Sequence, residues 1–126
     1  MLLNDALNQI IDDGIEAARA DYSKPRDKLK RDGSILGFEE CRGKAPAEIS
    51  ALLSAAGEKM IEAHREQSPQ YWYWSCRQAE IEWVANVLSC IMAAQGWPPI
   101  AMMTARGHLK AAEIIGVSER RIRARP

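Results

Sequence analysis

The chain's strongest chemical signal is a run of arginines at its end. Arg120, Arg121, Arg123 and Arg125 follow Ser118 and Glu119 within eight residues. A guanidinium presents donors in a rigid fork that fits a phosphate or the O6/N7 edge of guanine. Arg106 and Lys110 stand upstream as candidate phosphate contacts. From Arg106 onward six cations face only Glu113 and Glu119, a net of +4. The whole chain is formally neutral, so residues 1–105 carry −4. A basic end on an acidic body is an electrostatic footprint for nucleic acid, and equally the mark of a solvated basic tail. A second basic run, Lys24, Arg26, Lys28, Lys30 and Arg31, could clamp phosphates beside the first or remain a solvated loop.

The other reactive residues do not assemble. His64 and His108 have no metal-ligand spacing with any Cys, Asp or Glu, so no metal and no cofactor is expected. Glu39–Glu40 and Glu80/Glu82 are carboxylate pairs whose spacings make them diverge. Glu80 stands three residues from Arg77, a helical ion-pair spacing. No phosphate loop or nucleophile elbow is present, so catalytic residues are expected to be absent. Cys41, Cys76 and Cys90 make an odd count without a CxxC pair, which argues for reduced, mostly buried thiols. Tyr71, Trp72, Tyr73 and Trp74 are four consecutive aromatics. On a helix they point in four directions, so they suit core and interface positions better than a base-stacking platform. Tyr71, Trp72 and Trp74 are the candidates for a protein interface.

These residues need elements to position them. Leu3, Leu7, Ile10, Ile11, Ile15 and Ala18 recur every three or four residues and predict a helix over about 4–22, with Asn4 as N-cap. Ser23–Lys24–Pro25 and Asp32–Gly33 read as breaks, leaving a long connection over 23–45 pinned by Ile35, Leu36 and Phe38. Pro46 opens a helix to about Glu66. Ser68–Pro69 starts a third helix, about 69–95, stopped by Gly96 and Pro98–Pro99. Its half from Trp83 to Ala94 is apolar almost all round, as in the centre of a bundle or an oligomer interface. The fold expected is all-α: a three-helix bundle over 1–103 with a short helical hairpin over 104–126, in one domain. The apolar third helix also leads to a homodimer as the expected assembly.

The hairpin carries a resemblance. Ala111-Ala-Glu-Ile-Ile-Gly-Val-Ser-Glu-Arg-Arg-Ile122 resembles the helix-turn-helix of Fis-type and other bacterial and phage regulators. Ala112 is the small residue, Gly116 four residues later is the turn, Ile115 and Val117 flank it, and Ile122 locks the second helix. The resemblance implies that Ser118 caps a recognition helix presenting Glu119, Arg120, Arg121, Arg123 and Arg125 to duplex DNA, with Arg106 and Lys110 on phosphate. A helical hairpin that reads nothing satisfies the same pattern. The chain as a whole is similar in character to small phage or prophage proteins. Two functions follow as expectations. One is a transcriptional regulator bound to DNA. The other is a helical inhibitor or adaptor, for example of anti-defence or anti-CRISPR type, that binds a host protein through its aromatic surface or basic loop. The composition, 47% apolar and 27% charged, is ordinary for a globular protein, and no apolar run reaches the ~20 residues of a membrane span. The start of the chain lacks the pattern of a signal peptide, so a cytoplasmic location is expected.

Overall fold

The computed structural model describes residues 2–124. These form α1 (Leu3–Asp21), a 3-10 turn (Pro25–Asp27), α2 (Lys28–Glu40), α3 (Pro46–Arg65), α4 (Tyr71–Ala94) and α5 (Ala105–Arg123). No strand occurs among the described residues, and none of their helices is long and apolar enough to cross a membrane.

Helix α4 is the axis, and each of the other four α-helices packs on it. Its residues Val84 to Met92 are all buried, which accounts for its apolar circumference. That burial is complete within one chain, so α4 by itself does not call for a second copy. Ile10, Ile11, Ile49, Ile81, Leu88 and Ile91 form the centre of the core. α3 touches α4 alone, along a stripe of Ile49, Ala56 and Ala63. That seven-residue spacing is the knobs-into-holes seam of a shallow helix crossing.

The connection expected over 23–45 is instead largely helical, and the reason lies in two glycines. A Cβ on Gly33 would overlap the carbonyl oxygen of Tyr73, and one on Gly37 would lie 2.7 Å from that of Arg77. Gly33 thus marks the close approach of α2 to α4, where its pairing with Asp32 suggests a turn. The matched four-residue steps, 33 to 37 and 73 to 77, make the two helices parallel. Phe38 then drops its ring onto Gly14 of α1. Arg42 ties the same two helices by donating to Asp12 Oδ1 at 2.8 Å and Asn8 Oδ1 at 3.3 Å.

The C-terminal segment departs most from expectation. α5 is one uninterrupted helix, and Gly116 lies inside it without the positive φ that a turn there requires. The only glycines with positive φ among the described residues are Gly43 and Gly96, the second at the expected end of α4. The apolar stripe explains the continuity. Ala111, Ile114 and Val117 lie on one broad face that runs through Gly116, and Ile122 extends that face beyond the packed part of the helix. Among the described residues, the helix-turn-helix hairpin expected over 104–126 is therefore replaced by a single rod over Ala105–Arg123. Arg125 lies outside the described residues.

The start of α5 is fixed by α4. Buried Asn86 accepts from Thr104 N at 3.0 Å and donates to Thr104 Oγ1 at 2.8 Å. Thr104 Oγ1 in turn caps α5 by accepting from Gly107 N at 3.1 Å. Ser89 Oγ accepts from the amides of Ile100 and Ala101, both at 3.1 Å. Two polar residues on the otherwise apolar half of α4 thus satisfy the connection between α4 and α5.

Candidate functional site

The sequence-predicted residues divide among three places. At the end where α4 begins, α1 and α3 finish and α2 starts. Lys30, from the basic run, sits with its Nζ 4.8 Å from the centre of the Trp72 ring. Trp72 is 53% exposed. Its ring meets Tyr71 edge-on at 5.4 Å, and Tyr71 meets His64 of α3 at 5.4 Å. A continuous row of His64, Tyr71, Trp72 and Lys30 therefore crosses from α3 over α4 to α2. Lys24 and Arg26 are exposed just before α2, and neither forms an ion pair among the described residues. Lys28 pairs with Asp32 at 2.5 Å. Arg31 is committed to structure, donating to the carbonyl oxygen of Tyr22 at 2.8 Å at the end of α1.

Tyr73 and Trp74 turn the other way. Between them lies the Arg77 guanidinium, 5.7 Å and 4.7 Å from the two ring centres. Arg77 donates to Tyr73 Oη at 2.9 Å and grips Glu40 of α2 with both ends of its fork, the Nε bond measuring 2.9 Å. Trp74, half-buried, thus belongs to a cation–π stack with Arg77, whereas Trp72 of the three interface candidates is the exposed one. The pairing of Arg77 with Glu80 expected from their spacing does not form. Glu40, thirty-seven residues away, takes the guanidinium and raises its pKa.

The second place is a cleft of about 440 Å³ between α1, α4 and α5. It gathers Asp13, Asp21, Glu80, Trp83, Arg106 and Lys110. Lys110 Nζ donates to Asp13 Oδ2 at 2.6 Å. Burial pulls the ammonium pKa down, but the Asp13 and Glu113 carboxylates more than offset this and the net shift is upward. Arg106 lies over the Trp83 ring at 5.9 Å. Two residues expected on phosphate thus face the protein's own acidic and aromatic groups. Glu80 is pushed up to about 7, first by burial and then by the nearby Asp21 charge, against a hydrogen bond from Ser34 that works the other way. Sequence reasoning marked Glu80 only as a carboxylate beside Arg77.

The third place is the far end of α5. Glu119, Arg120, Arg121 and Arg123 are exposed, and none of the three arginines forms an ion pair among the described residues. On a continuous helix they fan over about 160° instead of converging on one groove. Ser118 caps nothing here, since it lies inside α5, where it lines a cleft with Arg121. This end meets the N-terminus of α1, whereas the Lys24–Arg31 run follows its C-terminus. α1 has 19 residues, which at 1.5 Å per residue separates the two basic regions by about 28 Å. At that separation the two runs do not adjoin, as a joint phosphate clamp, one of the two alternatives for the second run, would require.

The thiols are quiet. Cys41 donates to Gly37 O at 3.4 Å, and burial pushes it up to about 12. Burial likewise raises Cys90 and Cys76. No group of three or more His, Cys, Asp or Glu among the described residues is placed to hold a metal.

The architecture is thus an all-helical unit built around one central helix, with an exposed aromatic–basic surface at one end. No protein-family model, no curated protein and no solved structure matches the chain.

Proposed function

We propose that this protein is a small helical adaptor or inhibitor that acts by docking on another protein through the end formed by Tyr71, Trp72 and Lys30. One observation carries the reading. Two sequence features forty residues apart, the aromatic cluster and the basic run, meet in a single exposed surface at the Lys30–Trp72 contact. An exposed indole with a cation seated on it is the composition of an interface anchor, since Trp is enriched in binding hot spots. Lys30, with the exposed Lys24 and Arg26 of the same run, favours a partner that is acidic where it makes contact.

Tagged wild-type chain and variants, used as bait in extract of the source cell, test the reading. One protein is expected to be enriched by the wild type, retained by an Arg120→Glu/Arg123→Glu chain, and lost with Trp72→Ala and Lys30→Glu. Loss that follows the α5 arginines instead would overturn it.

A duplex-DNA regulator has narrower support. Its remaining observation is the three exposed arginines on α5, without the elbow that would aim them. DNA affinity that falls steeply with salt and with Arg120→Ala and Arg121→Ala would favour that reading.

A further inference from the structure

We infer that the cleft between the N-terminus of α1 and the outer half of α5 is an interface with a second copy of this chain. The cleft encloses about 260 Å³ and is lined by Leu2, Asp5, Ile114, Val117, Arg121 and Ile122 among others. The apolar stripe of α5 runs out past the cover that the described residues supply. Ile114 is 4% exposed, but Ile122, two turns on, is 57% exposed, and Leu2 on the facing wall is 72% exposed. Leu2 and Ile122 thus bring exposed apolar surface to one open cleft, which a partner can cover.

Charge selects the occupant. Asp5 stands on the α1 wall and Arg121 on the α5 wall. A two-fold interface pairs residue i with j and j with i, so a patch carrying one acid and one base on opposite walls is complementary to itself. A rotated copy sets its Arg121 against Asp5 and its Asp5 against Arg121, with Leu2 and Ile122 of both chains closing the middle. A generic acidic or basic partner would satisfy only one of the two charges.

The position also suits this arrangement. The cleft lies at the end of α1 away from Lys30 and Trp72, so a dimer formed here leaves both aromatic–basic ends outward. The protein would then offer two docking ends to its partner, with the avidity this confers. The dimer itself forms without any partner and stands independently of the docking proposal.

Sedimentation equilibrium on the purified chain is the test. The expected mass is twice the 14.1 kDa of one chain. Ile122→Glu should give the monomer mass with unchanged helical circular dichroism. Asp5→Lys and Arg121→Glu should each weaken association by about tenfold. The two changes together should recover most of that loss, because the swapped charges again face each other. Trp72→Ala should leave the mass untouched. A wild-type monomer at all concentrations overturns the inference. So does a dimer indifferent to Ile122→Glu, one abolished by Trp72→Ala, or a double variant no better than the singles.

Discussion

Replacing Gly116 with alanine distinguishes a rod from an elbow by the sign of the effect. In the rod, Gly116 sits well inside α5, and alanine there gains about 1 kcal/mol of helix propensity. The new methyl group meets only Arg120 Nη1, at 3.5 Å, the mobile end of a long side chain, so no steric penalty offsets the gain. In an elbow the residue would have positive φ, where a Cβ is disfavoured by about 1–2 kcal/mol. The two geometries therefore differ by about 2–3 kcal/mol in their response. For a chain of this length the rod predicts a Tm higher by about 3 °C by circular dichroism at 222 nm. If the outer half of α5 opens separately, the gain appears as about fivefold slower exchange of its amides in hydrogen exchange. A Tm lowered by several degrees, or faster exchange over residues 112–120, would refute the continuous helix and restore the turn.

Four further outcomes follow from the packing. Gly33→Ala should destabilise by about 2 kcal/mol in urea unfolding, because its methyl would force α2 off the Tyr73 backbone. Gly57→Ala, where nothing lies within 4 Å, should be neutral or better. Arg77→Ala should lower stability by about 2–3 kcal/mol, since it strands a largely buried Glu40 carboxylate and empties the space between Tyr73 and Trp74. Glu80 gives a pH dependence of defined sign. Its carboxyl is raised from 4.5 to about 7, so the folded state holds its proton more tightly than the unfolded state. Stability should fall as pH rises through that window, by at most about 2 kcal/mol once solvent screening is discounted. Glu80→Gln should remove this slope and be the more stable protein at pH 8, and an unchanged slope would show that another group carries it.

Much of the scaffold was legible because it rests on periodicity. The spacing of Leu7, Ile10, Ile11 and Ile15 placed α1, Pro46 placed the start of α3, and Gly96 placed the end of α4. The all-round apolar half of α4 announced a central helix. Two segments misled for one shared reason: glycine was read as punctuation. Gly33 and Gly37 are spaced four apart, which on a helix aligns them on one face, and that spacing was the available sign of a close crossing. Beside Asp32 it looks like a turn, and with few apolar residues around it α2 shows little amphipathic pattern. Gly116 satisfied the steric grammar of an elbow, yet the stripe from Ala111 to Ile122 passes through it in phase. Phase across the glycine was the better guide.

The surfaces were less legible, because a sequence counts charges without showing which are already engaged. Of the cations assigned to nucleic acid, Lys110 is taken by Asp13, Arg31 by backbone carbonyls and Lys28 by Asp32. Arg106 lies over Trp83. Those partners, apart from Asp32, lie between seven and ninety-seven residues away, beyond any local rule of spacing. The cations that remain unpaired and exposed define the surfaces worth testing. Lys30 sits against an exposed indole, with the exposed Lys24 and Arg26 earlier in the same run, whereas Arg120, Arg121 and Arg123 radiate from a helix end. A cation seated on an apolar anchor concentrates binding energy, and divergence disperses it. That difference in geometry, rather than the larger positive count at the chain's end, is what supports the proposed docking role of Trp72.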